Sequence, residues 1–416
     1  MFTRTLPIAE ARHLPRWRQP TTLLFLMAVA MPLAFATWSA LLNNFVIEAA
    51  GFTGVEIGWL HTVREIPGLL AVGVLLFLLV IREQVMAGLM LILLGSATAV
   101  TAWFPTFGGI LIVTFISSVG FHYYESCNQS LQLQWLARAD APKVLGKLVA
   151  AGSIASLVAY GLIVLFWKTF DLSFNFVFMA SGGLCVLIAI FALLAFPQFE
   201  AEHKQRKSIV LRRRYWLYYL FEMLNGARRQ IFVVFAAFMM VEHYGYAVHQ
   251  VTALMLITFV ANMVTAPAIG RFVARFGEQK AMLIEFTGLF FVFVGYGCLF
   301  WFALPGWVAA ALYVANNIFF AISFSHKTYF QKIADPTDMA TSAAVSFTIN
   351  HIAAVFLPAG LGYIWATSPD YVFILAAGIA FAQILLSLLV PRNPSAGNET
   401  RLREMRGPGP ILTPAE

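Results

Sequence analysis

The sequence predicts an all-α polytopic membrane protein, with twelve transmembrane helices arranged as two six-helix pseudo-repeats. Three observations carry this. The 416 residues are 60% hydrophobic and only 11% charged, with a mean hydropathy of +0.78, whereas soluble domains average about 25% charged residues. Twelve apolar runs of the roughly 20 residues that a bilayer requires can be placed with short connections, which leaves no room for a separate soluble domain. The second half also repeats landmarks of the first: Glu48, Gly51, Pro142 and Pro197 recur at one constant spacing as Glu242, Gly245, Pro336 and Pro391.

In chain order, residues 1–20 form a polar, basic leader carrying Arg4, Arg12, Arg16 and Arg18. The N-terminal six-helix bundle, residues 21–196, has spans at Thr21–Ile47, Val55–Ile81, Gln84–Phe104, Gly108–Ala137, Val144–Phe166 and Ser173–Phe196. Ala34-Phe35-Ala36 resembles a signal-peptidase site, but the apolar run continues past it to Val46, as an uncleaved span does. A basic linker at 197–214 follows, with Lys204, Arg206, Lys207, Arg212, Arg213 and Arg214. The C-terminal bundle, residues 215–390, has spans at Tyr215–Val241, Val248–Phe272, Ala281–Leu304, Gly306–Ile333, Met339–Trp365 and Tyr371–Val390. Asp140-Ala-Pro142 and Asp335-Pro336 sit where a helix begins, with Asp to cap free amides and Pro tolerated at the first helical position. The tail, 391–416, is rich in Pro and Gly and is expected to be disordered.

The formal charge of +7 does not point to nucleic acid, because the basic residues gather in alternate loops. With both termini cytoplasmic, all of the 27 Lys and Arg lie in cytoplasmic segments except Lys168, outside, and Arg64, Arg228, Arg229 and Lys327, within spans. That asymmetry is the positive-inside signal. Cys127, Cys185 and Cys298 fall inside spans without paired spacing, so neither disulfide nor metal chemistry is expected. Phosphate-loop, nucleophile-elbow and zinc-protease motifs are lacking, so the chain reads as no enzyme and needs no cofactor.

On span count, the basic central linker and the repeat, Thr21–Val390 resembles the major facilitator superfamily. One family motif is visible after span 8: Gly270-Arg271-Phe272-Val273-Ala274-Arg275-Phe276-Gly277-Glu278-Gln279-Lys280. It is similar to the family's Gly-x-x-x-Asp-Arg/Lys-x-Gly-Arg-Arg/Lys loop, which gates the cytoplasmic side through charge contacts. Gly270, Arg275, Gly277 and Lys280 fit the pattern; Ala274 replaces the usual Asp and Glu278 a usual base. After span 2, where the family carries its stronger copy, the chain reads Val80-Ile81-Arg82-Glu83-Gln84 and has no glycine. The resemblance implies a transporter whose two halves rock around a central site, with spans 1, 4, 7 and 10 lining the cavity.

Candidate residues follow from polar stripes on those spans. In span 4, His122, Glu125, Gln129 and Gln132 recur at helical steps of three and four, bordered by Asn128. An acid at this depth is expensive unless it faces a partner or water, and a desolvated carboxyl holds its proton nearer neutral pH. Glu125 and His122 are therefore the candidate proton-coupling pair; an interhelical hydrogen-bond network is the alternative. In span 7, Glu222, Asn225 and Arg229 share a stripe and Arg228 adjoins it. The planar fork of arginine suits a carboxylate or phosphate, so one of the two is expected to anchor an anion, the alternative being a salt bridge to Glu222 or Glu125. Asn316 and Asn317 of span 10, with Trp38 of span 1, complete the candidate substrate contacts.

Arg64 and Glu65, beside His61 in span 2, are expected to pair with each other or to line the outer gate. His326 and Lys327, towards the inner end of span 10, are expected to snorkel to the headgroups. Asn262, Asn350 and His351 flank the cavity in the family arrangement. Intramembrane charge, taken as Arg64, Arg228, Arg229 and Lys327 against Glu65, Glu125 and Glu222, leaves an excess of one positive charge and leans towards an anionic substrate.

The reading is a secondary active transporter of the inner membrane, acting as a monomer. It moves a small polar or anionic solute by alternating access with protons as the coupling ion. Two alternatives stand. A drug–proton efflux antiporter is favoured by the 15% aromatic content and disfavoured by span 5, which has no proline. A non-transporting scaffold or sensor is the alternative of another class.

Overall fold

A computed structural model describes residues 5–70, 73–136, 141–200, 211–335 and 339–404. Its helices follow the apolar runs. In the first half they are α1 (Pro20–Ala50), α2 (Gly54–Leu69), α3 (Val74–Phe77), α4 (Glu83–Val100), α5 (Phe107–Trp135), α6 (Ala141–Phe166) and α7 (Phe174–Ala195). In the second half they are α8 (Trp216–Ile231), α9 (Ala237–Glu242), α10 (Val248–Phe276), α11 (Glu278–Trp301), α12 (Gly306–Phe320), α13 (Phe324–Ile333), α14 (Met339–Thr367), α15 (Pro369–Ser387) and the short α16 (Arg401–Glu404). Among the described residues, eleven helical runs are long and apolar enough to cross a membrane. The twelfth span is described as α2 and α3, on either side of residues 71–72. The chain is a multi-pass helical membrane protein of two six-helix pseudo-repeats. The linker at 201–210, Asp140, Pro336 and the tail from 405 lie outside the described residues.

Two spans are interrupted. Span 7 changes from α8 to α9 through a π-helical turn at Phe232–Ala236, and span 10 passes from α12 to α13 through a 310 turn at Ala321–Ser323. Insertions of this kind bend or re-aim a helix, and π turns occur often at functional sites.

The repeated landmarks have structural causes. Gly51 and Gly245 both adopt left-handed backbone, at φ 64° and 67°. Each closes its helix with the same pair of bonds: Gly51 N–H to Ile47 O and Phe52 N–H to Val46 O, matched by Gly245 N–H to Val241 O and Tyr246 N–H to Met240 O. This is a widened, Schellman-like cap with its glycine in the left-handed region, where a Cβ would be strained. A second repeated feature is the Glu-Gln pair that opens α4 and α11. Glu83 accepts from Gln134 Nε2 at 2.7 Å, and Glu278 accepts from Lys332 Nζ at 2.7 Å. Gln84 donates to Pro197 O at 2.9 Å and accepts from Phe199 N–H at 2.9 Å; Gln279 donates to Ser387 O at 3.4 Å and accepts from Arg401 at 3.2 Å. In both halves a buried glutamine ties the start of the third helix to the chain leaving the sixth.

The first part of the tail is tied down in the same way. Residues 391–404 are held by Arg401 N–H on Leu389 O at 2.8 Å and by Tyr329, whose hydroxyl donates to Glu399 O at 2.6 Å. The leader is also ordered from Thr5. Strand β1 (Thr5–Pro7) pairs in parallel with β2 (Gln198–Glu200), and Arg18 Nε donates to Ala195 O at 2.8 Å.

Two compact units are present. One comprises Met1–Arg206 with Ala237–Leu256, the other Lys207–Ala236 with Ile257–Glu416. In the first, small residues let helices approach closely: a Cβ on Gly120 would lie 2.7 Å from Leu94 N, and one on Gly182 would meet the Gly95 carbonyl. Residues 237–256 join this unit through α9 on α1 and through Asn44 Nδ2, which donates to Tyr246 O at 2.8 Å. In the second unit α11 lies along α15 and α8 along α14. Gly226 leaves no room for a Cβ against the backbone of Asn350.

Candidate functional site

Polar side chains gather inside each unit. In the first, α2 presents His61, Arg64 and Glu65 while α5 presents His122, and His61, Glu65 and His122 are buried. Arg64 and Glu65 form an ion pair. The Arg64 carbonyl accepts from the Ser118 hydroxyl, and its guanidinium carbon stands 6.0 Å from the Trp38 ring centroid. A carboxylate oxygen of Glu65 and a ring nitrogen of His122 lie within 4.8 Å of each other. His122 also meets the Phe121 ring edge-on at 5.0 Å, and Phe121 stacks on Phe35 at 4.6 Å. Periodicity along span 4 pairs His122 with Glu125; across the helices, the carboxylate brought to His122 is that of Glu65. Glu125 is half-buried and takes a 3.5 Å contact from Gln129 Nε2, while Gln132 donates to the buried Asn128 at 3.1 Å. Trp38 Nε1 has no hydrogen-bond partner among the described residues.

In the second unit Arg228 is 1% exposed. Its guanidinium donates to Glu285 Oε1 at 3.2 Å and to Asn225 Oδ1 at 2.8 Å, and sits 5.7 Å from the Phe286 ring centroid and 5.9 Å from that of Phe320. The other oxygen of Glu285 lies 3.1 Å from His326 Nε2, off the hydrogen-bond direction. Phe221 and Phe286 flank the His326 ring at 5.8 and 5.4 Å. Sequence reasoning missed Glu285, an acid standing alone in the apolar run of span 9. It also placed His326 at the headgroups. The ring is instead 1% exposed and points into the unit, because α13 packs against α8 and α11; Lys327, next along, is exposed.

Arg229 is half-buried and donates to Asn350 Oδ1 at 2.9 Å; Asn350 in turn donates to Glu222 O at 3.1 Å. Glu222 is half-buried on the same helix. Asn316 is buried with Oδ1 unpartnered among the described residues, whereas Asn317 donates back to Tyr313 O at 2.9 Å. With Glu285 included, the intramembrane charges become Arg64, Arg228, Arg229 and Lys327 against Glu65, Glu125, Glu222 and Glu285. The expected positive excess for the whole chain disappears.

The motif after span 8 forms the turn between α10 and α11. Gly277 has φ 84°, a conformation that favours glycine. Arg275 and Lys280 are exposed and approach the Phe276 ring centroid to 5.4 and 5.8 Å, while Gly270 lies two turns back in α10. Glu278, which replaces a base of the motif, is the buried acid paired with Lys332.

Two six-helix repeats with buried charge in each unit are the pattern of secondary transporters. The chain belongs to the Major Facilitator Superfamily, whose family model matches residues 23–358. No curated protein matches it in sequence. Among solved structures, a mutant of the nucleoside transporter NupG is similar with a TM-score of 0.74 at 15% identity, covering 89% of this chain and 99% of that one. A bacterial homologue of the human lysosomal transporter Spinster, inward-facing and occupied, is similar at 0.68 with 12% identity, covering 95% and 98%. A D-xylose–proton symporter is similar at 0.67 with 13% identity, covering 90% and 98%. At these identities the likeness is one of fold.

Proposed function

We propose that the protein is a proton-coupled transporter of a small monoanionic solute. It works by alternating access as a monomer in the inner membrane, with both termini cytoplasmic. The observation that carries this reading is the uneven split of intramembrane charge. The first unit sets Arg64 against Glu65 and Glu125 and so carries an acid in excess, beside His122. The second sets Arg228, Arg229 and Lys327 against Glu222 and Glu285 and so carries a base in excess. A charge kept within the membrane is functional by default. An acidic excess beside a histidine takes a proton; a basic excess takes an anion. Loaded with one of each, the carrier is neutral within both units.

Glu65 and His122 hold the proton in this reading, with Glu125 one turn further along α5. Arg229 anchors the anion, because Arg228 is committed to Glu285. Asn316, Asn317, Asn225, Glu222 and Trp38, with Asn128 and Gln129, supply polar and stacking contacts to the solute. Arg64, Gly270, Arg275, Gly277 and Lys280 belong to the gates, and the basic loops fix the orientation.

Reconstituted proteoliposomes with an acidic exterior test this. One among a panel of radiolabelled small organic monoanions should accumulate saturably, neutral sugars and nucleosides should not, and a protonophore should collapse the gradient. Glu65→Gln and Glu125→Gln should abolish proton-driven accumulation while counterflow exchange survives, since exchange needs binding without net proton release. Accumulation of a neutral solute with no monoanion transported, or uptake indifferent to the protonophore, would overturn the reading.

A further inference from the structure

The leader has no part in the transport reading, yet the fold fixes its position. We propose that the turn Arg16-Trp17-Arg18 is a binding site for an anionic phospholipid. The lipid phosphate meets the two arginines, and the acyl chains lie along the outer stripe of α7. The turn is a 310 helix of three residues just before α1.

Several ties hold the turn against the first unit. Arg18 Nε donates to the carbonyl of Ala195, the last residue of α7, at 2.8 Å. The Thr22 hydroxyl donates to Arg16 O at 2.7 Å, and Gln19 Nε2 donates to Leu14 O at 3.2 Å. Upstream, Leu6, Ile8, Ala11 and Leu14 pack into the unit's core. On this fixed backbone Trp17 is 54% exposed, and its ring meets Phe196 edge-on at 6.4 Å. Phe196 in turn meets Phe191 at 6.3 Å. Leu187, Phe191 and Leu194 are exposed at steps of four and three, so they form one stripe along α7. An exposed apolar stripe on a spanning helix faces acyl chains, and a tryptophan at its end belongs at headgroup level. The aromatic series Trp17–Phe196–Phe191 thus leads from the headgroups into the hydrocarbon.

Charge selects the headgroup. Arg16 is exposed and Arg18 half-buried, with its guanidinium carbon 5.5 Å from the Trp17 ring centroid. Neither arginine forms an ion pair among the described residues. Residues 5–19 carry Arg12, Arg16 and Arg18 against Glu10, a surplus of two positive charges. The guanidinium fork suits a phosphate, and basic residues at the headgroups recruit anionic lipid. A zwitterionic lipid brings a cation of its own to the same place. A soluble phosphate could use the arginines but not the stripe, so the combination favours an anionic lipid.

Quenching of Trp17 by nitroxide lipids in nanodiscs tests this on the full chain. The Trp17 signal is the parent emission minus that of Trp17→Phe, which keeps an aromatic ring against Phe196. The probes are phosphatidylglycerol and phosphatidylcholine, each with a nitroxide near the top of one acyl chain, diluted into unlabelled phosphatidylcholine. Each arginine beside the headgroup is worth roughly a fivefold preference, so the pair predicts half-quenching at about a thirty-fold lower share of the anionic probe. Arg16→Gln, which removes a side chain with no tie to the fold, should reduce the preference to about fivefold. The Arg16→Gln, Arg18→Gln double variant should abolish it. Millimolar inorganic phosphate at constant ionic strength should not relieve the quenching. The site does not depend on the transport reading: Glu65→Gln should show the parent's preference, so the two can fail separately. Equal quenching by both probes, a preference undiminished in Arg16→Gln, or relief by phosphate would each overturn the proposal.

Discussion

Glu285→Gln is expected to lose about 3–5 kcal/mol of stability, because it strands a guanidinium deep inside the second unit. Arg228 is 1% exposed and Glu285 fully buried, 3.2 Å apart, and the rings of Phe286 and Phe320 that face the guanidinium offer no second anion. Arg228→Gln should be milder, since the orphaned carboxylate still has His326 at 3.1 Å. The double variant should recover most of the loss, because two neutral amides of similar size leave no uncompensated charge. Denaturation in mixed micelles checks all three. Single variants as stable as the parent, or a double variant no better than Glu285→Gln, would show that the pair does not hold the unit together.

Arg229→Lys is expected to act on binding rather than on the fold. Its guanidinium is half-buried and braced by Asn350 at 2.9 Å, with a planar fork whose geometry suits a carboxylate. Lysine keeps the charge but loses the two-point geometry. Removing one charge-assisted contact is worth about 1.5–3 kcal/mol, or one to two decades in affinity. Ligand-dependent thermal shifts with the transported monoanion give the affinity. Arg228→Lys should change stability more than affinity; an Arg229→Lys variant that binds as tightly as the parent would move the anion contact elsewhere.

Much of the architecture was legible in the sequence, because a bilayer forces the backbone into helices and enforces apolar runs of fixed length. The runs predicted at Gly108–Ala137 and Met339–Trp365 became helices at Phe107–Trp135 and Met339–Thr367. The capping glycines at 51 and 245 announced themselves through the repeat. What periodicity does not carry is which stripe faces which. It aligned His122 with Glu125 on one helix, whereas Glu65 reaches His122 from another. It read His326 by depth alone, and the snorkelling argument fails when a neighbouring helix supplies a carboxylate. Glu285 was missed because it sits on a span that the family analogy places away from the cavity. The turns at Phe232–Ala236 and Ala321–Ser323 leave no compositional mark, since neither contains glycine or proline.

The central claim is that one proton and one monoanion travel together, and the electrical behaviour of transport tests it most directly. In proteoliposomes under a fixed pH gradient, potassium and valinomycin can set the membrane potential at zero or at about 100 mV. Each net charge moved per cycle adds about 2.3 kcal/mol per 100 mV, roughly a fifty-fold change in the attainable solute gradient. The charge split between the two units predicts a steady-state gradient that does not change with potential. A gradient that shifts about fifty-fold with 100 mV, in either direction, would contradict it.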